Sequence, residues 1–153
     1  MSKEIRPVDF DDAQVLALLE LHLNGMRENS PAGSSFALDL SGLNHPSVSF
    51  FGLWDGDSLL AFGALKELAP RHGEIKSMRT APAHVRRGAG ALVLDHLIEV
   101  ARERGYQRLS LETGTGPAFE AAVALYRRYG FASGEAFGAY TASDFNQFLH
   151  KRL

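Results

Sequence analysis

The sequence predicts an α/β (α+β) fold in which helices cover both faces of a mixed, mostly antiparallel central sheet. Three apolar-alternating segments follow one another in the first half, and two of them flank the turn sequence Asp55-Gly56-Asp57. Strands joined by such short turns pair antiparallel. In the second half, strand-like segments alternate with amphipathic segments of helical period, which indicates a parallel βαβ crossing. With 153 residues, the chain is predicted to form one domain over 1–153.

The first half is predicted to hold one helix, one long loop and three strands. Asp11 or Asp12 is suited to cap a helix over 13–28, in which apolar residues recur on one face. The segment Asn29–Pro46 is rich in Ser, Gly, Asn and Pro and is predicted to be a loop with one helical turn around Phe36–Leu40. The predicted strands are Ile5–Val8, Ser49–Trp54 and Ser58–Leu65.

The second half is predicted to add two helices and four strands. One helix starts after Gly88 and runs to about Arg104, before Gly105, and the other starts at Pro117 and runs through Tyr129. The predicted strands are Gly73–Thr80, Leu109–Glu112, Phe137–Tyr140 and Asn146–Lys151. The first of these strands is stopped by Pro82.

Composition excludes several classes of chemistry. The chain has no cysteine, so thiolate metal sites and cysteine nucleophiles are excluded. The histidines lack metal-ligand spacing, and no metal is expected. The sequence has neither a segment of membrane-spanning length nor the apolar core of a signal peptide, so we expect a cytoplasmic protein.

Charge is divided unevenly between the two halves. Residues 1–67 carry 4 basic and 10 acidic side chains, whereas residues 68–153 carry 12 basic and 8 acidic ones. The basic half suits a polyanionic small molecule, but its excess is too small to indicate a nucleic-acid partner. The acidic half is compatible with a cationic substrate or with a merely solvated surface.

The segment from Val85 to Ala91 has the properties of an anion-binding turn. Two arginines, Arg86 and Arg87, precede Gly88 and Gly90 at the predicted start of a helix. Free backbone N–H groups at a helix N-terminus, the helix dipole and nearby guanidinium groups all attract phosphate. A dinucleotide-binding turn needs a third glycine where Val93 stands, and a P-loop needs a Gly-Lys-Ser/Thr sequence. The turn therefore indicates a pyrophosphate of another kind.

A second segment, Leu125-Tyr126-Arg127-Arg128-Tyr129-Gly130-Phe131, lies about 35 residues beyond the turn at Val85–Ala91, which we call the glycine turn. The two segments together resemble the GNAT superfamily of acetyl-CoA-dependent N-acetyltransferases, in detail over 73–131 and in element order over the whole chain. The resemblance implies a splayed pair of strands and acetyl-CoA as acyl-donor cosubstrate. It also implies that the pyrophosphate lies on the turn formed by Val85, Arg86, Arg87, Gly88, Ala89, Gly90 and Ala91. Val85 replaces the usual Gln or Arg, which removes one side-chain contact but none of the backbone donors.

The resemblance also assigns roles along the preceding strand and in the later helix. Backbone groups of Met78 and Thr80 are expected to pair with the pantetheine arm as an added strand would. Tyr126 matches the tyrosine that protonates the departing thiolate, a role that suits a phenol protonated at neutral pH. Phe119 stands where relatives often have an asparagine, which leaves one contact to the cofactor arm without a counterpart.

The general base is left open between two acids and water. Glu112 and Glu74 lie on predicted strands beside the expected cofactor, and either can accept a proton directly or through a water molecule. Glu112 is favoured because some relatives use a glutamate in a similar place. A structural ion pair of Glu112 with Arg108 or Lys76 is the alternative.

Arg79 and His45 are the candidates for recognising the acceptor. Arg79 is expected to point to the strand face opposite Met78 and Thr80, where its guanidinium can bind a carboxylate or form a surface ion pair. His45 lies in the long loop, as a lid residue or an ordinary turn residue. The acidic first half favours a cationic acceptor and Arg79 favours a carboxylate, and an amino acid or related zwitterion satisfies both.

The sequence therefore predicts an N-acetyltransferase acting on the amine of a small molecule. Three alternatives stay open: a protein Lys or N-terminal acetyltransferase, a non-catalytic acyl-CoA-binding module, and a nucleotide-binding domain of another fold. A long mobile loop over 29–46 would favour a protein acceptor, and a loop folded over the site would favour a small one. By analogy with the family, in which apolar late strands often pair between subunits, a homodimer is expected.

Overall fold

The computed structural model describes residues 3–33 and 36–153. The helices and strands, in chain order, are β1 (Lys3–Pro7), α1 (Ala13–Glu28), α2 (Leu40–Leu43), β2 (Val48–Asp55), β3 (Ser58–Ala69), β4 (His72–Thr80), α3 (Ala89–Glu103), β5 (Arg108–Gly114), α4 (Glu120–Arg128), β6 (Ala132–Ser133) and β7 (Asn146–Arg152). Short 3-10 turns at Pro82–His84 and Pro117–Phe119 precede α3 and α4. Within the two described ranges, no helix is both long and apolar enough to cross a membrane.

The sheet has the order β1-β2-β3-β4-β5-β7-β6. All neighbouring strands are antiparallel except β4 and β5, which run parallel. The predicted mixed, mostly antiparallel sheet is therefore confirmed. The parallel pairing joins only His72–Glu74 to Arg108–Ser110, and beyond these residues the two strands separate. The rest of β4 remains paired with β3 as far as Thr80.

Two cores, one on each face of the sheet, hold the helices in place. On one face, α3 packs through Val93, Leu94 and Leu97, and α4 adds Tyr126 to the same cluster. On the other face, α1 contributes Val15, Leu18 and Leu19. Placing helices on both faces buries the β3 and β4 backbones from above and below. The gap between β4 and β5 consequently opens toward both layers of helices.

Most predicted elements are confirmed, with ends that shift by a few residues. Helix α1 begins at Ala13, and the Asp12 carboxylate accepts hydrogen bonds from the backbone N–H groups of Gln14 at 2.9 Å and Val15 at 3.1 Å. The helical turn expected around Phe36–Leu40 lies instead at Leu40–Leu43, because the Asp39 side chain caps it through the Gly42 N–H.

The prediction of a strand over Phe137–Tyr140 is wrong. This segment is a turn that lies across the sheet, and the short β6 at Ala132–Ser133 takes the edge position instead. Phe137 is buried and its ring contacts those of Tyr140 at 5.1 Å and Phe148 at 5.8 Å. The apolar residues of this segment therefore cover the sheet face without pairing with it.

A β-bulge in β4 lies where the strand leaves β5. The register between β3 and β4 shifts so that Ser77 and Met78 both oppose Gly63. Ser77 has a φ of +57°, a left-handed conformation that L-residues other than glycine rarely adopt. A Cβ atom at Gly63 would lie 2.6 Å from the Met78 sulfur and 2.7 Å from a Val93 methyl, so a glycine is required opposite the bulge.

We expect substitutions on the two sides of this bulge to change stability in opposite directions. Gly63→Ala should lower the free energy of unfolding by about 1–3 kcal/mol, because the new methyl group overlaps the Met78 and Val93 side chains. Ser77→Gly should raise it by up to about 1 kcal/mol, because glycine adopts a positive φ without strain. Urea unfolding followed by circular dichroism measures both. Two changes of the same sign would contradict this account of the bulge.

Candidate active site

A cavity of about 810 Å³ occupies the gap between β4 and β5 and opens toward both helical layers. On the α3 and α4 side, its wall is formed by the glycine turn and one face of α4. On the α1 side, its wall is formed by the end of α1 and the loop after it. The α1-side lining residues are His22, Gly25, Met26, Asn29, Phe36 and Ala37. Two molecules entering from opposite faces of the sheet would therefore meet between the strands.

The turn before α3 presents backbone donors to the cavity. Helix α3 starts at Ala89 after Gly88, which has a φ of +77°, and no side chain caps this end of the helix. Arg86 also has a positive φ, +65°, a strained conformation that is typical of ligand-binding loops. A Cβ at Gly88 would meet nothing within 4 Å, so the space in front of the turn is open. These properties fit a bound pyrophosphate.

The predicted cofactor residues divide into those that line the cavity and those that do not. The lining members are Met78, Thr80, Val85, Arg86, Gly88, Gly90 and Ala91. Arg87 is exposed and Ala89 is buried at the first position of α3, and neither lines the cavity. Arg128, at the end of α4, also lines the cavity, although no pattern in the sequence predicts a role for it. It adds a positive charge to the side where the anion-binding turn lies.

Tyr126 lies on the cavity side of α4. Its side chain is buried, and its ring makes an edge contact with Phe131 at 5.8 Å between centroids. Burial raises the pKa of the Tyr126 hydroxyl above its usual value. The hydroxyl is therefore fully protonated at neutral pH, as a proton donor must be. Tyr129 is partly buried against the same core and does not line the cavity.

Glu112 lines the cavity from β5. The pKa of its carboxyl group is raised to about 7. Burial is the largest cause and the nearby Glu74 adds to it, whereas the positive charge of Lys76 partly opposes both. A carboxyl group with this pKa is partly ionised at neutral pH and releases an accepted proton readily.

Glu74, the second candidate base, is engaged elsewhere. Its Oε2 atom accepts hydrogen bonds from the Tyr140 hydroxyl at 2.5 Å and from the Lys76 ammonium at 3.3 Å, and the same ammonium donates to the Tyr140 oxygen at 2.6 Å. Burial and the nearby Glu74 charge raise the pKa of Tyr140, which keeps its hydroxyl as the donor to Glu74. Glu74 does not line the cavity. This closed triangle ties the loop carrying Tyr140 to β4.

Arg79 points to the α1 face, as the strand alternation predicts. Its Nε atom donates to His22 Nδ1 at 2.9 Å, and its Nη2 atom donates to the His22 backbone oxygen at 3.4 Å. Burial, reinforced by the Arg79 charge, lowers the pKa of His22 to about 4, so the imidazole is neutral at physiological pH. Both residues line the cavity. From the sequence, His22 is expected to be a packing histidine near the apolar face of α1, whereas in the structure it also accepts a hydrogen bond from Arg79.

His45, the other candidate for acceptor recognition, lies outside the cavity. It is exposed in the turn before β2, where its Nδ1 atom contacts the Ser47 hydroxyl at 2.8 Å. Loop residues Phe36 and Ala37 line the cavity instead. A serine, glycine and proline-rich loop carries no periodic pattern from which this placement could have been predicted.

The fold and the cavity fit an acyltransferase that binds a CoA thioester. A family model described as the acetyltransferase (GNAT) family matches residues 15–131. YedL of Escherichia coli strain K12, named an uncharacterized N-acetyltransferase, is 46% identical over 149 residues, which are 97% of this chain and 94% of YedL. YsnE of Bacillus subtilis strain 168, which bears the same description, is 47% identical over 145 residues, which are 95% of this chain and 96% of YsnE.

A crystal structure of a GNAT family acetyltransferase from Elizabethkingia anophelis with acetyl-CoA bound has the same fold. It superposes with a TM-score of 0.72 at 18% identity, covering 99% of this chain and 98% of that one. This chain belongs to the GNAT family of acetyltransferases. It is an N-acetyltransferase that uses acetyl-CoA as its acyl donor.

We expect Gly88→Glu to abolish the stabilisation of the protein by acetyl-CoA and by CoA. The added carboxylate would occupy the open space before the α3 amides and repel the pyrophosphate, which should weaken binding by at least about 10²-fold. Thermal shift with acetyl-CoA, CoA, ATP and NAD measures the effect. Gly105→Glu is the matched control, since Gly105 has a φ of +79°, equally open surroundings and a place at the other end of α3. Equal binding by the Gly88 variant and wild type would contradict the assignment of the turn.

Proposed function

We propose that this enzyme transfers the acetyl group of acetyl-CoA to the amine of a small molecule of the amino acid or related zwitterion class. The observation that carries the proposal is the two-sided cavity, with the glycine turn and Tyr126 on one side and Glu112 and Arg79 on the other. A cavity of this form supports direct attack in a ternary complex, with no covalent enzyme intermediate.

Two described residues of the loop over 29–46 support a small acceptor. Phe36 and Ala37 line the cavity, and the Phe36 ring makes an edge contact with Tyr140 at 5.3 Å. This part of the loop thus folds over the acceptor side and narrows the path that a polypeptide substrate would need. A protein Lys or N-terminal acceptor is therefore the second candidate. We also expect a cytoplasmic homodimer, which stays a prediction.

The mechanism assigns one proton transfer to each side of the cavity. Acetyl-CoA supplies a thioester whose carbonyl carbon the amine attacks. Glu112, as carboxylate, accepts a proton from the acceptor ammonium directly or through a water molecule and so frees the nitrogen lone pair. Beyond Glu74, β4 has no β5 partner, and its free backbone groups near Met78 can polarise the thioester carbonyl. Tyr126 donates its proton to the departing thiolate. The nitrogen atom is positively charged again once it has bonded to the carbonyl carbon, and the proton that it loses as the amide forms restores the Tyr126 hydroxyl.

The acceptor experiment is a thiol-release assay with acetyl-CoA and a panel of amines. The panel contains amino acids, amines without a carboxylate, a polyamine and a peptide with a free N-terminus. The proposal predicts turnover with amino acids. Turnover with only the polyamine or the peptide would overturn it in favour of another acceptor class. Binding of acetyl-CoA without turnover of any amine would favour the non-catalytic acyl-CoA-binding module.

Tyr126→Phe should lower kcat by about 10²-fold while leaving acetyl-CoA binding intact, because only the proton donor is lost from a buried ring. Single-turnover kinetics and thermal shift separate these two effects. Tyr129→Phe is the matched control, three residues along the chain and away from the cavity wall. A Tyr126→Phe enzyme with unchanged kcat would remove Tyr126 from the mechanism.

The pH dependence of kcat/KM should report Glu112. Because Glu112 acts as a carboxylate and its pKa is raised to about 7, the rate should increase as pH rises through about 7. Glu112→Gln should remove this dependence and lower kcat/KM by about 10²-fold. A pH profile of the Gln variant that retains the same rise would assign the base to another group or to water.

A further inference from the structure

The charge on Arg79 has no anionic partner within the described part of the chain. The ion pairs found there join Arg6 to Glu4, Lys76 to Glu74, Arg102 to Glu99 and Arg108 to Glu135. Arg79 instead donates to the neutral His22 ring and to a backbone oxygen, although its guanidinium is partly buried and burial lowers its pKa. A partly buried cation without a counter-charge is costly, and an anion that enters the cavity relieves this cost.

The guanidinium keeps donors free for such an anion. Arginine has five N–H groups, and the contacts to His22 use the one on Nε and one on Nη2. The groups left on Nη1 and Nη2 form the pair that binds a carboxylate in bidentate fashion. Gly25 gives this end of the side chain its space, because a Cβ there would lie 3.1 Å from Nη2. His22 and Gly25, one turn apart on α1, therefore seat the guanidinium in a fixed orientation.

Glu112 and Arg79 face the same side of the sheet across the gap. Along β5, Leu109 and Leu111 pack into the α3 core, so Glu112 projects to the opposite face. Arg79 reaches α1 on that same face. An amine held by Glu112 and a carboxylate held by Arg79 can thus belong to one small molecule.

The remaining α1-side wall is largely apolar. Met26, Phe36 and Ala37 line it, and the Phe36 ring rests edge-on against Tyr140, whose hydroxyl is held by Glu74. The Lys76 ammonium is occupied by Glu74 and Tyr140, so it does not offer a free charge to a second carboxylate. This wall suits an apolar substituent better than a charged one.

We infer that the acceptor is an amino acid with a single carboxylate and an apolar side chain, and that Arg79, oriented by His22, binds that carboxylate. The inference rests on the proposed function, since it presupposes that a small amine is acetylated. The apolar side chain lies against Met26, Phe36 and Ala37, and Glu112 accepts the proton from the amine.

The test measures kcat/KM of the wild-type enzyme and of an Arg79 variant with two acceptors, L-leucine and 3-methylbutylamine, which is leucine without its carboxylate. Arg79→Gln should lower kcat/KM for leucine by about 10²-fold, mainly through KM, because a partly buried ion pair is lost. The same variant should change kcat/KM for 3-methylbutylamine by less than about 3-fold, because this amine has no carboxylate for residue 79 to bind in either enzyme. Arg102→Gln, in an exposed pair with Glu99, is the control and should affect neither acceptor.

Two further variants test the contact of His22 with Arg79 and the apolar wall formed by Met26, Phe36 and Ala37. His22→Leu should raise KM for leucine with little change in kcat or in the pH profile between 6 and 8, because a ring with a pKa of about 4 does not titrate there. Phe36→Ala should raise KM for phenylalanine more than for glycine. Wild type should accept leucine and phenylalanine in preference to aspartate and lysine.

Several outcomes would overturn the inference, and they are distinguishable from failure of the proposed function. If Arg79→Gln lowers kcat/KM equally for leucine and 3-methylbutylamine, Arg79 does not bind the carboxylate. The same conclusion follows if the wild-type enzyme prefers 3-methylbutylamine to leucine. In both cases the acetylation of small amines is still supported. A preference for aspartate or lysine would overturn the apolar wall. Turnover of no small amine by a protein that thermal shift shows to bind acetyl-CoA would overturn both the inference and the proposed function.

Discussion

The separation of β4 from β5 after three residue pairs is the constraint on which the rest of the site depends. Up to Glu74 the two strands form an ordinary parallel ladder, and beyond it the backbone groups of β4 that face β5 have no strand partner. Such groups require hydrogen bonds from elsewhere, and an extended pantetheine arm can provide them as an added strand would. The bulge at Ser77 and the glycine opposite it bend β4 at this point. The gap thereby becomes a passage between the two helical layers.

A passage through the sheet also gives Tyr126 and Glu112, the two groups that we propose transfer protons, different surroundings. Tyr126 belongs to the apolar core around α3 and α4, where burial favours the protonated phenol. Glu112 projects to the other face, where burial raises the pKa of its carboxyl to about 7 and Lys76 limits the rise. Two titratable groups whose pKa values are set apart by their environments suit an acid and a base in one reaction. Placing them on opposite faces also leaves space between them for the reacting atoms.

The sequence was sufficient to predict what local patterns determine. Periodicity and turn residues predicted six of the seven strands of the described residues, the helix capped at Asp12 and the turn at Gly88, because each depends on residues within a few positions. It was insufficient for contacts made across the fold. The pairing of Arg79 with His22 joins residues 57 apart, and that of Tyr140 with Glu74 joins residues 66 apart. The strand wrongly predicted over Phe137–Tyr140 has the same origin, since those rings are buried by tertiary packing.

Two cations, Arg79 and Lys76, lie on the α1 side of the sheet, and they differ in the residue that orients them: a neutral histidine for Arg79 and a glutamate for Lys76. An acidic residue at position 22 would also orient the guanidinium, but it would cancel its charge and compete with an entering carboxylate. Lys76 illustrates that case, because Glu74 already satisfies it and the pair serves to fix Tyr140. His22 orients Arg79 through a lone pair and adds no negative charge, and burial prevents it from becoming a second cation. Orientation without neutralisation is what the carboxylate site that we infer at Arg79 requires. Among the described residues that line the α1 side of the cavity, Arg79 has both properties.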